Sequence, residues 1–322
     1  MAVPISKFGQ YVLLQVHNSE GALVFQTDSL KIDFDIRHIK GWSRAKFTLT
    51  NLAPDTIKKI SSPDSENYVT LYTRLHDGEL SLIADRMFVS NALETVNVPE
   101  SIFSIFCYSK LRKAYLEQQI DVKVPKTTLI GTIDAVVKES GFAGTVEYKH
   151  FPDEILSFVP PKPRSRQRGS LISVLENLGE EYSFNTYTIG NKFVFMYKPS
   201  SKNVQQTQLF NGAGEIKLST SNMRDNPKIG PATLGVVSNL DSRIIPTTVL
   251  DISNLLTVGT DTNEETLQVA ENYLREKVAG FGKYQTLSVQ HRGSNWTSLW
   301  KTVVAATSPT PGISMSTENW WT

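Results

Sequence analysis

The chain has one cysteine, no long apolar run and almost no net charge, and each scarcity removes a class of protein. Over 322 residues, 33 Lys and Arg stand against 32 Asp and Glu, a formal charge of +1. Such a balance gives no global field for nucleic acid or an anionic membrane, although a local basic patch remains open. The single Cys107 excludes an intrachain disulfide, and its place in the run Ile102-Phe103-Ser104-Ile105-Phe106-Cys107-Tyr108 predicts a buried thiol on a strand. Assembly in a reducing cytoplasm fits that usage. No apolar stretch approaches the ~18 residues that cross a bilayer. Met1-Ala2-Val3-Pro4-Ile5-Ser6-Lys7 lacks the apolar core of a secretion signal, so a soluble protein not exported by a classical N-terminal signal is expected.

Catalytic signatures are equally scarce. There is no Gly-x-Ser-x-Gly elbow, His-Glu-x-x-His helix or phosphate-cradling Walker loop. The five histidines, His17, His38, His76, His150 and His291, never come as close-spaced pairs, and Cys107 lacks a second thiol. Asn211-Gly212-Ala213-Gly214-Glu215 reads as a turn rather than a phosphate loop. Asp33 and Asp35 share a strand face and could hold a cation or act as a carboxylate pair. A solvated face, or a charged strand edge, is the simpler expectation. No enzyme, metal or cofactor is expected.

What the sequence does contain is alternation. In Lys31-Ile32-Asp33-Phe34-Asp35-Ile36 the apolar residues share one face, and Arg44-Ala45-Lys46-Phe47-Thr48-Leu49-Thr50 repeats the pattern after a connection with Gly41 and Ser43. A hairpin follows. Further strands are predicted near 10–17, 22–27, 67–75, 80–91 and 101–108, with a short helix at Pro54–Ile60. From Leu129 the spacing turns helical, and Gly141 stops it. The order Leu129, Ile130, Ile133, Val136, Glu139, Phe142 recurs as Leu171, Ile172, Leu175, Leu178, Glu181, Phe184. Two helix–strand units are too few for a solenoid, and an α/β insert is expected. Between them Pro160–Gly169 is Pro-rich and basic, the mark of an extended surface loop. After 205 strands are predicted around 214–220, 247–252, 284–291 and 298–306, with a capped helix at 263–279. Of Trp296 and Trp300, at least one is expected in the core.

The predicted fold class is α+β, mainly β: two β-barrel or sandwich domains, 1–110 and 205–306, flanking a smaller α/β insert at 111–204, with an extended tail at 307–322. Candidate interface residues are Trp42, the basic connector Arg164, Arg166 and Arg168, and the terminal Trp320 and Trp321. A solvated linker is the simpler reading of the arginines, and contact with phosphate oxygens or an acidic partner surface is the alternative. The tryptophans would dock on a neighbouring subunit or fold back on their own domain.

Three stretches resemble the central hub proteins of phage tail baseplates. They are Ile32–Ile36 followed by Arg44-Ala45-Lys46-Phe47-Thr48-Leu49-Thr50-Asn51-Leu52; Lys228-Ile229-Gly230-Pro231 with Gly235–Pro246; and Gly282–Gly293 with Trp300-Lys301-Thr302. Ile245-Pro246-Thr247-Thr248 departs from the pattern by lacking a Pro-Gly turn. The resemblance implies two tail-tube-like domains per chain and a homotrimer presenting six of them as a ring, which matches a threefold spike to a sixfold tube. It implies tail tube, spike or tail-tip, and wedge or tape-measure proteins as partners, with no membrane insertion and no sequence-specific nucleic acid binding. The location would be the virion tail, assembled in the host cytoplasm. A carbohydrate-binding or host-adhesion module is the alternative, and a cell-wall hydrolase a third, supported by carboxylates but no motif.

Overall fold

A computed structural model describes residues 9–62, 65–76, 78–97, 99–111, 118–124, 127–159, 166–197, 215–225, 227–229, 233–252 and 283–307. The predicted helix at 263–279 and most of the tail lie outside them.

The alternating segments become strands. The first set is β1 (Gln10–His17), β2 (Leu23–Thr27), β3 (Ile32–Ile39), β4 (Trp42–Thr50), β5 (Tyr68–Leu75), β6 (Ser81–Asn97) and β7 (Glu100–Tyr108), with α1 (Pro54–Ser61) after β4. In β3, Ile32, Phe34 and Ile36 enter the core while Asp33, Asp35 and Arg37 point away. They meet Ala45, Phe47 and Leu49 of β4, Val12, Leu14 and Val16 of β1, and Phe103, Ile105 and the buried Cys107 of β7. Each large apolar side chain so buried contributes about 1.5–3 kcal/mol. The β3–β4 turn is tighter than expected. Gly41 takes φ +86° there, and Ser43 is already an inward-facing residue of β4. Strand β6 runs past its predicted end at 91 because Leu93–Asn97 pair with Glu100–Ser104 of β7, extending the hairpin into an arm. Val96 on that arm is 69% exposed.

The middle of the chain forms β8 (Gln119–Lys123), α2 (Leu129–Glu139), β9 (Thr145–Lys149), α3 (Asp153–Leu156), β10 (Arg166–Ser170), α4 (Leu171–Glu181), β11 (Phe184–Ile189) and β12 (Lys192–Tyr197). The repeated pattern becomes two eleven-residue helices with matching caps. Thr128 Oγ1 accepts from the Gly131 amide and Ser170 Oγ from the Ser173 amide, satisfying donors that a helix leaves open. The strands that follow are not equivalent: α2 leads to β9 alone, and α4 to the hairpin β11–β12. These three make a sheet in which β12 pairs antiparallel with β11 and parallel with β9. The basic connector is also corrected. Its second half is no loop but β10, hydrogen-bonded along its length to β8.

The last set is β13 (Glu215–Lys217), β14 (Lys228–Ile229), β15 (Thr233–Asn239), β16 (Val249–Asp251), β17 (Lys283–Ser294) and β18 (Trp300–Thr307). Strand β15 was not among the predicted strands. Leu234 and Val236 of β15 share a core with Leu250, Tyr284, Val289, Val304 and Ala306.

The first and last sets belong to one sheet of thirteen strands, ordered β14-β15-β18-β17-β3-β4-β7-β6-β5-β1-β2, with β16 and β13 branching from β17. The branch exists because β17 changes partners along one edge. Residues 283–285 pair with β16, then Val289–Ser294 pair with His38–Asp33 of β3. At this seam Trp300 leaves its own set and packs edge-on against Phe34, centroids 5.9 Å apart. Asn295 adds a side-chain clamp, its Oδ1 accepting from the Ile32 amide and its Nδ2 donating to the Leu30 carbonyl, both at 2.8 Å. Gly293 lies beneath the rings, where a Cβ would come within 2.4 Å of Phe34 and 3.0 Å of Trp300. Both rings are buried, so Gly293→Ala should cost about 1–3 kcal/mol by overpacking. Urea denaturation of the two proteins measures that loss.

Candidate assembly surface and the seam beneath it

Because β3, β4, β7, β17 and β18 are hydrogen-bonded neighbours, the side chains facing away from their cores fall into rows. One row reads Lys301, Arg292, Asp35, Lys46, Phe106 from β18 to β7. The next reads Val303, Gln290, Arg37, Arg44, Tyr108. Trp42 begins β4 on this same face, half-buried, with the Arg44 guanidinium 5.5 Å from its ring centroid. Lys46 sits equally far over the Phe106 ring. These cation–π contacts fix charged heads that would otherwise swing freely.

Asp35 is the electrostatic knot of the face. It accepts from Gln290 Nε2 at 2.7 Å and from Arg37 at 3.1 and 3.2 Å, with Arg292 at 3.9 Å. Asp33 and Asp35 do share the outward face of β3, but β3 is not an edge strand: β17 covers one side and β4 the other. Among the described residues, no group of three or more His, Cys, Asp or Glu is placed to hold a metal ion, and no helix is long and apolar enough to cross a membrane.

On the inner side of the same seam two imidazoles meet. His38 and His291, remote in sequence, are both buried with ring centroids 5.7 Å apart and planes 73° apart. His38 Nδ1 lies 2.7 Å from Ser43 Oγ. The Ser43 hydroxyl in turn donates to the Thr188 carbonyl at 2.9 Å, so the proton between His38 and Ser43 belongs to the imidazole. Thr188 is also held by Ser109 and by the Gly41 carbonyl, and the Gly41 amide donates to Thr186. The helix-bearing insert therefore docks on the β3–β4 turn next to the histidines.

His291 Nδ1 is 3.0 Å from Thr302 Oγ1, which accepts from the Asp241 amide, while its Nε2 has no hydrogen-bond partner. Burial pushes His38 down to about 4. Burial, then the neighbouring His38, push His291 down to about 3, against a weaker upward pull from Asp241 and the Ile244 backbone. Both rings are neutral at pH 7. Burial likewise holds the Cys107 thiol well above its ordinary value, so it stays protonated and inert.

The residues singled out from sequence scatter. Trp42 lies on the rowed face. Arg166 and Arg168 lie on β10, where Arg166 pairs with both oxygens of Asp121, and Arg168 stands directly opposite that aspartate in the register. For Arg166 an acidic contact lies in its own chain, and the Arg166 hydrogen bond holds the Asp121 carboxyl below its ordinary range. Arg164, Trp320 and Trp321 lie outside the described residues. Trp300 is the core tryptophan and Trp296 is 53% exposed. The histidine pair was missed. Its one local signal is phase: His38 follows Ile32, Phe34 and Ile36 at every second position.

No family model matches the chain, and no curated protein does. Solved structures do match in fold. The E. coli c3393 protein, a component of the type VI secretion system described as structurally similar to the T4 bacteriophage tail proteins gp27 and gp5, aligns over 89% of this chain and 76% of its own. The TM-score is 0.51 at 10% identity. A tail protein from Neisseria meningitidis MC58 aligns over 92% and 96%, with a TM-score of 0.52 at 8% identity. A 43 kDa tail protein of prophage MuSo2 from Shewanella oneidensis aligns over 93% and 97%, with a TM-score of 0.51 at 8% identity. The mainly β α+β architecture is shared with these proteins along nearly its whole length.

Proposed function

We propose that this chain is a non-catalytic structural hub of a phage-type tail, joining the tail tube to the central spike and the surrounding baseplate. One observation carries the reading. A single sheet passes without a break through both strand sets and fixes their relative orientation by main-chain hydrogen bonds. A hinge there would move one set against the other, whereas a registered seam makes them a rigid pair. Three rigid pairs can close as a ring of six similar units, the geometry that adapts a threefold spike to a sixfold tube. The fold shared with tail proteins supports this role. Tail tube, spike or tail-tip, and wedge or tape-measure proteins are the partners it requires, with the virion tail as the location.

Light scattering and native mass spectrometry of the purified chain at micromolar concentration test the proposal. A particle of three times the 36.0 kDa chain mass is expected. A monomer that persists after mixing with the tube and spike proteins overturns it.

A further inference from the structure

We infer that the rowed outer face of the sheet, through Arg37, Arg44, Lys46, Arg292 and Lys301, binds the phosphate backbone of duplex DNA without reading its sequence. The inference leans on the tail reading only for why DNA would be present, while the surface stands on its own residues.

The arrangement is self-repulsive as it stands. Arg37 is directly opposite Arg44 and Arg292 directly opposite Lys301, and like charges across a strand pair destabilise a sheet. Asp35 is the carboxylate of these rows, with Asp33 in the adjoining row along β3, and Asp35 is already engaged by Arg37, Gln290 and Arg292. Five cations against two carboxylates leave a local excess that the chain's formal charge of +1 hides. An incoming polyanion relieves the repulsion.

Dimensions agree with a duplex. Neighbouring strands are ~4.8 Å apart, so the row from Lys301 to Lys46 spans about 14 Å, a length over which duplex DNA presents roughly eight phosphate charges. Arg44 and Lys46 are exposed and already held over rings, so less side-chain freedom is lost when they meet phosphates.

The same contacts exclude other nucleic-acid modes. Trp42 and Phe106 are capped by their cations, which removes the stacking platform that unpaired bases use. Among the described residues the rows are made of strands alone, with no helix set in them to enter a groove and read base edges.

Fluorescence anisotropy of a labelled mixed-sequence duplex of 24 base pairs, with the full chain at 50–200 mM salt, tests the inference. Expected is micromolar-range binding indifferent to sequence, with log K falling against log salt at a slope of about −4 for up to five phosphate contacts. Arg44→Gln with Lys46→Gln should reduce the slope by about 2, and weaken binding by roughly eightfold per lost contact at 0.1 M salt. Circular dichroism checks that the double variant is folded. Absence of binding at 50 mM salt overturns the inference, as does binding that the double variant leaves unchanged or that poly-glutamate competes away as readily as DNA. The oligomeric state of the same sample separates the two proposals. A chain that binds DNA with this slope but stays monomeric after mixing with the tube and spike proteins removes the hub alone, and a trimer that does not bind removes the DNA surface alone.

Discussion

Bringing the protein from pH 7 to pH 5 is expected to lower its folding stability by about 2 kcal/mol for each of His38 and His291. In the folded state these rings titrate at about 4 and about 3. In the unfolded chain they titrate near the ordinary ~6.5. The unfolded state therefore binds more protons everywhere between those values, and stability is lost as pH falls through that window. At pH 5 an unfolded histidine is about 1.5 units past its midpoint, and at ~1.36 kcal/mol per unit that gives the figure above. Charging either ring also charges the seam itself, because the neighbour is another buried imidazole. Asp241 is the acidic group acting on His291. Burial works to raise it, but its bonds to Arg243 win and keep it ionised. Guanidinium unfolding at pH 7, 6 and 5 measures the slope. His38→Gln with His291→Gln should remove most of it, whatever the double variant costs at pH 7. An unchanged slope in that variant would assign the acid sensitivity elsewhere.

Trp300→Ala is expected to cost about 3–5 kcal/mol, the range for deleting a buried aromatic side chain. The residue belongs to β18 by sequence and to the first strand set by packing. Its loss therefore empties the joint rather than either core. A double-mutant cycle with Phe34→Ala isolates the edge-to-face contact, expected at about 0.5–1.5 kcal/mol of coupling. A loss below ~1 kcal/mol for Trp300→Ala would mean that main-chain pairing holds the seam without the rings.

The parts of this architecture visible beforehand are those encoded within a few residues. Ile32, Phe34 and Ile36 declare a strand by alternation, and Leu129 and Leu171 open helices whose caps, Thr128 and Ser170, stand one residue upstream. Strand β15 was harder. Its outer-face Val237, in line with Val303 of β18, breaks the apolar–polar alternation that marks a half-buried strand. The seam had no local signature. Gln290 reaches Asp35 across 255 residues, and no periodicity reports which distant strand will occupy an edge. The same gap hid the candidate surface, since Lys301 and Arg292 join Lys46 in one row only after β17 has docked. Arg166 failed for the opposite reason: its composition signalled a loop, and pairing with β8 overrode it.

That 255-residue gap has a consequence during synthesis. At ~5–20 residues per second, β3 leaves the ribosome roughly 13–50 s before its partner β17 exists. Throughout that interval the β3–β4–β7 sheet can form while β3 keeps an open row of amides and carbonyls, the kind of edge on which chains aggregate. Asp33, Asp35 and Arg37 alternate along that strand, and charge is a common protection for an exposed edge. The strand is interior in the finished molecule and an edge only for a time, and its charges guard the nascent chain before Gln290 and Arg292 arrive to engage them.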